Sequence, residues 1–533
     1  MTTFTPTSSR PLHQPRWSPP RNPSPPATEK LLPLLLTPLV LLVHGYHPFA
    51  NDGGLYVAGI RHILNPALYP RNAAFVTAFT HRSVFPWVLA GLARLTHLPL
   101  SVILLAAHLI SIGLFLFAAS RLATRLFPGR SARACATLLA AACCALPVAG
   151  TALVLMDPYV TARSFSTPLS LLAVAATLDR RWRATLFLIG LALAIHPLMG
   201  ADAAAFVLLL ALVLDRRIRI AVVVCAAAFV LAGAAFVLAH DVPVDPAYRE
   251  AVSLAPRSFL FLARWRWYEV PGLLLPLALF ALALRRVRIA TSAGALCLTS
   301  ILLGITALLI AACFVPPDGP YLLVPLQPLR SFHLIYCVGV ILCGGSLAAS
   351  VRISVPHISP SLADGGRSRS LPFRSSWVPG AILVLLFAAM FLVERIEWPG
   401  GRRLELPGLA PANPYTQAFL WIRTHTPARA VFAFNPDIVY RPGEDEQGFR
   451  ALSERDQLAD DKDAGVAAVI PSLAAPWAAQ RNAGSSIDTM SDAERRATLT
   501  PLGATWILLS PAASTALPCP FHNRAVRVCR LVP

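Results

Sequence analysis

Apolar stretches recur eleven times along this chain, separated by short connections rich in arginine, and no other feature narrows its possible folds so far. They fall near 31–44, 98–120, 134–154, 164–178, 184–195, 201–214, 218–239, 271–284, 292–313, 331–349 and 377–393. In hydrocarbon a backbone has to satisfy its own hydrogen bonds, so each stretch is predicted to be a helix and the set a polytopic bundle of about eleven spans. Several are shorter than the roughly 20 residues of a perpendicular span, so some helices are expected to end inside the protein. The stretch 83–96 is interrupted by Pro86 and Arg94 and reads as a re-entrant or interfacial helix. Composition agrees with a membrane chain: 56% of residues are hydrophobic and only 14% charged, where a soluble domain carries about a quarter.

The net charge of +19 would point to nucleic acid if it were spread over a surface, and its placement excludes that reading. Residues 394–533 hold 15 acidic and 15 basic side chains, so the whole excess lies in residues 1–393. There it is gathered in loop clusters such as Arg121/Arg125/Arg130/Arg133, Arg180/Arg181/Arg183, Arg216/Arg217/Arg219, Arg285/Arg286/Arg288 and Arg367/Arg369/Arg374. Cytoplasmic loops of membrane proteins carry this signature. It assigns those loops to the cytoplasm, and an odd number of spans from a cytoplasmic N-terminus then sets 394–533 outside. By the same bookkeeping 45–83, 155–163, 196–200, 240–270 and 314–330 lie at the outer face, where chemistry is to be sought.

Three regions follow. Residues 1–29 are rich in Pro, Ser, Thr and Arg without apolar periodicity and read as a disordered cytoplasmic tail. Residues 30–393 form the multi-pass domain, its first apolar stretch an anchored helix and not a cleaved signal. Residues 394–533 alternate Pro-bounded helices with short strands: helices at 415–425, 473–480 and 492–499, and strands at 430–434, 466–470, 505–509 and 525–532. That is a small extracytoplasmic α/β domain. Eight of the ten cysteines sit in apolar stretches as small hydrophobes. The other two, Cys519 and Cys529, suit a disulfide if the domain faces an oxidising compartment. No phosphate-binding loop, dinucleotide fingerprint or nucleophile elbow occurs in this region.

Carboxylates are scarce in the membrane half, and each near membrane depth demands a reason. Asp52 follows the first span in His47-Pro48-Phe49-Ala50-Asn51-Asp52-Gly53-Gly54-Leu55-Tyr56 and opens a stretch, 55–64, able to lie on the bilayer as an amphipathic helix. A carboxylate there can take the proton of an acceptor hydroxyl; the same residues also suit a helix cap or tight turn. Asp157 and Arg163 stand in Met156-Asp157-Pro158-Tyr159-Val160-Thr161-Ala162-Arg163-Ser164, where Arg163 can hold a phosphate through its planar fork, or anchor at headgroups beside an Asp-Pro turn. His196-Pro197-Leu198-Met199-Gly200-Ala201-Asp202 breaks two helices, which suits a pocket wall holding His196 and Asp202, and equally a plain hairpin loop. Past Pro316-Pro317-Asp318-Gly319-Pro320-Tyr321, Gln327 and Arg330 reach the outer surface as phosphate ligands or headgroup anchors. The segment 257–269, with Arg257, Arg264, Trp265, Arg266, Trp267 and Tyr268, has the composition of an interfacial helix. No spacing specifies a metal, and the cofactor is left unknown.

Asp52 with Tyr56 four residues on, after the first span, resembles the start of the first external loop in the GT-C superfamily, which includes protein O-mannosyltransferases and aminoarabinose transferases. In that superfamily the acidic residue is catalytic or close to it, and many members carry a second acid immediately after, where this chain has Gly53. Asp157 is similar in position to a polar site that GT-C proteins turn toward that loop. Phe419-Leu420-Trp421-Ile422-Arg423-Thr424-His425-Thr426-Pro427, followed by Ala430-Val431-Phe432, resembles the opening of periplasmic C-terminal domains on GT-C-like bacterial membrane proteins of unassigned function. Gly448-Phe449-Arg450, Arg455, Asp461-Lys462, Trp477 and Arg481 continue that pattern. The resemblance implies an inner-membrane glycosyltransferase with Asp52 and Asp157 at the reaction centre. Tyr56, Arg163, His196, Asp202, Gln327 and Arg330 would bind a polyprenyl-phosphate-linked sugar, and the acceptor would be a lipid, glycan or protein. A scaffold with a partner-binding outer domain and a lipid or glycan transporter are the alternatives that composition leaves open.

Overall fold

The computed structural model describes residues 27–215, 245–254, 259–315, 317, 321–350 and 377–532. The expected tail up to residue 26, the expected helix 218–239, the loop 316–320 apart from Pro317, and the arginine clusters of 216–219 and 367–374 lie outside the described residues. Helices follow the apolar pattern: α1 (Ala27–His44), α2 (Asn51–Leu64), then Phe85–Thr96, Leu100–Leu126, Arg130–Ala142, Ala162–Leu178, Trp182–Ile195, Pro197–Leu214, Val270–Leu284, Ser292–Phe314, Phe332–Ser350 and Val378–Glu397. Among the described residues five helical segments are long and apolar enough to cross a membrane, namely Leu100–Leu126, Pro197–Leu214, Ser292–Phe314, Leu323–Ala348 and Val378–Glu397. Leu31–His44, Trp182–Ile195 and Val270–Leu284 are apolar but shorter, so the count of eleven spans is not reproduced among the described residues.

Small residues set how closely these helices approach. A Cβ on Gly344 would lie 2.8 Å from the Cα of Ala136, so the helices Phe332–Ser350 and Arg130–Ala142 pack backbone to backbone. The apolar core built on them includes Leu116, Leu171, Phe206, Phe332 and Ile335, all essentially excluded from solvent.

The expected helix 134–154 stops at Ala142. Beyond it, 143–161 runs as irregular backbone, although its residues are as apolar as a span. The amides of Val148, Leu155 and Met156 bond to the carbonyls of Leu153, Leu146 and Cys144 at 2.8, 3.2 and 2.7 Å. Irregular backbone is tolerated because those groups are satisfied inside protein. Pro147 supplies the break, since it cannot donate and clashes with the preceding turn.

The C-terminal region holds a five-stranded sheet in the order β2-β1-β3-β5-β4, from β1 (Val431–Ala433), β2 (Asp456–Gln457), β3 (Trp506–Leu509), β4 (Phe521–His522) and β5 (Arg527–Arg530). β1 is parallel to β2 and β3, while β5 is antiparallel to β3 and β4. Helices Pro414–His425, Ala474–Gly484 and Asp492–Leu499 accompany it, the last opened by a reciprocal cap between Ser491 and Glu494. The expected strand 466–470 is instead the helix Ala464–Val469. Its three alanines favour helix while Val466, Val469 and Ile470 favour strand, and the helix prevails in the folded domain. Cys519 and Cys529 are joined by a disulfide.

This region is stitched to the first loop through backbone. Gly448 and Asn51 donate to the carbonyls of Phe49 and Glu446, each at 2.8 Å, and Tyr46 and Glu405 complete a second link through Arg403. The Tyr69 hydroxyl donates to the Arg450 carbonyl at 2.9 Å, Arg71 N to Asp456 at 2.8 Å, and the Tyr248 hydroxyl to the Ala468 carbonyl at 3.0 Å. α2 therefore lies between the membrane helices and the sheet region, with contacts on both sides.

Candidate active site

Asp52 stands in the first turn of α2, whose N-cap is Ala50 and has no side-chain capping bond. The carboxylate is thus not used as a cap. It sits 3.8 Å from Nη2 of Arg163 and 3.5 Å from Nζ of Lys462, and about a third of the side chain stays open. Gly53 and Gly54 make that position possible. A Cβ on Gly53 would come within 2.9 Å of the Pro48 carbonyl and 3.1 Å of the Tyr159 ring, and one on Gly54 within 2.8 Å of the Cα of Gly448. No acidic side chain fits beside Asp52 in this packing, which accounts physically for the glycine that follows it.

Arg163 owes its place to the start of the helix Ala162–Leu178, where Thr161 and Ser164 form a reciprocal cap. That fixes Arg163 in the first turn, buried, with Nη2 2.8 Å from both carboxylate oxygens of Asp157 and Nε 3.1 Å from one of them. Asp157 is 5% exposed. A buried pair of this geometry fixes the guanidinium in one plane, and its remaining reach is toward Asp52.

Lys462 arrives from the C-terminal region, between Asp461 and Asp463, and also touches the side chains of Asn51 and Glu446. Sequence reasoning had named it only as part of a longer pattern. A usable signal was present: the chain's 46 basic residues include two lysines, Lys30 and Lys462, and the second lies in an acidic run.

Tyr56, one turn after Asp52, is packed between the rings of Phe79 and Phe85 at 5.8 and 5.5 Å. Arg330 stands in a short turn after Gln327, whose backbone is left-handed (φ 46°), and its guanidinium lies 5.1 Å from the Phe259 ring centre. Gln327 Oε1 is buried without a hydrogen-bond partner among the described residues, as is Oδ2 of Asp202. His196 caps the helix Pro197–Leu214 by accepting from the Met199 amide at 3.3 Å.

Electrostatics tie these groups together. Burial would push the Asp52 carboxyl up, but Lys462, Arg163 and Arg330 outweigh it and hold it at about 2, below its ordinary 3.8. Burial, then Arg163 and Arg330, pull His196 down to about 3, so its ring is neutral, as its acceptor role at Nδ1 requires. The structure therefore brings Asp52, Asp157, Arg163 and Lys462 into one cluster, with Arg330 and His196 within its field. Tyr56 adjoins it along α2, Asp202 lies within the field of Arg330, and Gln327 stands on the approach to that arginine. Of the disulfide pair, Cys529 lies in β5 and Cys519 just before β4. Among the described residues no group of three or more His, Cys, Asp or Glu side chains is arranged to hold a metal ion.

No family model matches the chain, and no curated protein matches it. Among solved structures it is similar to the Archaeoglobus fulgidus oligosaccharyltransferase, crystallised with a tethered acceptor peptide, at 12% identity and a TM-score of 0.48. The match covers 90% of this chain and 69% of that one.

Proposed function

We propose that this chain is a membrane-embedded glycosyltransferase of the GT-C type, moving a sugar from a polyprenyl-phosphate carrier to an acceptor on the outer side of a bacterial inner membrane. The observation that carries the proposal is the meeting of Asp52, Asp157, Arg163 and Lys462, drawn from three separate stretches of chain, at one partly open carboxylate. A structural role for Asp52 alone would not call for an arginine locked in plane by a second, buried carboxylate and aimed at the first.

In the proposed reaction the acceptor oxygen bonds to the sugar's anomeric carbon as the bond from that carbon to the phosphate oxygen breaks. The phosphate leaves with the electron pair. Arg163 and Arg330 supply positive charge where that negative charge grows. The acceptor's proton passes to Asp52 and from there to water. A carboxylate at about 2 is a weak base, so it serves first to orient the acceptor hydroxyl and takes the proton late, when bond formation has acidified it. Asp157 acts through Arg163 as a positioning residue.

The disulfide between Cys519 and Cys529 supports an oxidising compartment for the C-terminal region. The test is Asp52→Asn at normal membrane levels, read by mass spectrometry of surface glycans and lipids. Loss of a product that is also lost on full deletion is expected, with transfer down by about 10²–10⁴. An unchanged profile, where the deletion does change it, refutes the role of Asp52.

A further inference from the structure

His47 takes no part in the proposed reaction, yet it stands at the seam between the membrane helices and the C-terminal region. It lies three residues beyond α1, wholly excluded from solvent, and its ring stacks on Trp398 with centres 4.7 Å apart. Nε2 is 3.2 Å from Oε1 of Glu394, in the last turn of the helix Val378–Glu397. Nδ1 is 3.4 Å from Oε1 of Glu405, in the strap 398–413 that leads into the C-terminal region. An ionised carboxylate only accepts, and a neutral imidazole donates from one nitrogen alone. Both contacts are hydrogen bonds only if the three groups share one added proton, on the ring or on a carboxyl.

The surrounding charges leave that proton as the balancing one. Nη2 of Arg403 is 2.8 Å from Oε2 of Glu394, and the same guanidinium also donates to the carbonyls of Val43 and Phe391 at 2.9 and 2.8 Å. Arg395 reaches Glu394 only at 4.0 Å, from a side chain 40% exposed. Glu397 lies within the field of His47 and adds negative charge. His108, of the helix Leu100–Leu126, is also in range, and His44 is turned away to the Ala141 carbonyl at 2.9 Å. Asp157 precedes the Pro158 carbonyl that accepts from the His47 amide at 2.8 Å, and is itself balanced by Arg163. With a neutral ring, Arg403 would have to answer both Glu394 and Glu405, and Glu394 is 3% exposed. A buried carboxylate without full compensation is strongly destabilising. Burial lowers the ring's value, but the bonds to Glu394 and Glu405 outweigh it and hold it above the ordinary 6.5. The two chain segments meet through backbone as well, the Tyr46 amide donating to the Arg403 carbonyl at 2.8 Å and the Glu405 amide to the Tyr46 carbonyl at 3.0 Å.

We propose that the proton shared by His47, Glu394 and Glu405 is a latch: while held it locks the strap 398–413 to the end of α1, and its release to water frees the strap. The claim is independent of the transferase reading, because it is measured in the backbone and not in a product. The lock is complete below pH 6.5 and lost as pH rises through the ring's folded value. The test follows backbone hydrogen exchange of the purified full-length protein in detergent by mass spectrometry, from pH 6.5 to about 9, with each rate corrected for the intrinsic rise of exchange with pH. Protection of the Tyr46 and Glu405 amides should fall by about tenfold per pH unit until the ring is neutral. The helix Asp492–Leu499 is the reference for loss that belongs to the C-terminal region itself. His47→Gln has no titrating ring, and its protection there should not change with pH. Glu405→Gln leaves the ring one carboxylate to face, so the fall should be about tenfold smaller, which decides the matter if His47→Gln does not fold. Flat protection in the wild type, or a fall of wild-type size in either variant, overturns the proposal. A fall no larger at the strap than in the reference helix overturns it too, by making the opening global.

Discussion

Lys462 stands 3.5 Å from Asp52 and is the strongest of the cations that hold this carboxylate below its ordinary range. A carboxylate with a depressed value adds stability above pH 3.8 that is lost as pH falls toward about 2. In Lys462→Met the folded value rises toward 3.8, so less of this stability exists to be lost and the fall in melting temperature between about pH 4 and 2 should be shallower than in wild type. An unmoved profile would mean that Lys462 does not act on Asp52. Asp460 shows the opposite sign. Burial, with Asp463 beside it and against the pull of Arg450, raises its carboxyl to about 7. Stability from Asp460 is therefore full below pH 3.8 and lost as pH climbs through about 7. Asp460→Asn cannot ionise and should flatten the decline in melting temperature between pH 4 and 8.

At the scale of elements, α2 is held from both sides, and its glycines are the contact surface. Gly54→Val places branched carbon where a Cβ would already lie 2.8 Å from the Cα of Gly448, so overpacking of about 1–3 kcal/mol is expected, seen as a lower melting temperature. How far such elements were legible depends on what fixes them. The capped helix Asp492–Leu499 was readable to the residue because Ser491 and Glu494 spell its start locally. The irregular 143–161 was not, since its hydropathy matches a span and only tertiary hydrogen bonds make the break affordable in an apolar setting. The helix Ala464–Val469 was misjudged because six residues hold too little pattern to tell a period of 3.6 from one of 2. Strand β2, two residues of Asp456 and Gln457, was invisible: its polar side chains are held by bonds to the backbone amides of Arg71 and Asn72 and to the Asp460 carboxylate, which lie in other elements or follow a turn. At the site, Asp52, Asp157 and Arg163 were readable as rare charges near apolar ends. Lys462 was not placed there, because nothing local says that a residue 410 positions later folds back onto Asp52.

Across the whole molecule, backbone-to-backbone packing at Gly344 makes the bundle sensitive to a single added side chain. Gly344→Leu should lower the yield of folded protein in membranes and its melting temperature in detergent, whereas Gly190→Leu, where a Cβ meets nothing within 4 Å, should do neither. The stitching of the C-terminal region to the first loop has a further consequence for biosynthesis. A ribosome that has delivered the first 400 residues has already made the carboxylates and arginines of the early loops, yet the ammonium group that completes their constellation is still unborn. Chains halted before residue 462 lack it, so the constellation can close only once that residue has been made.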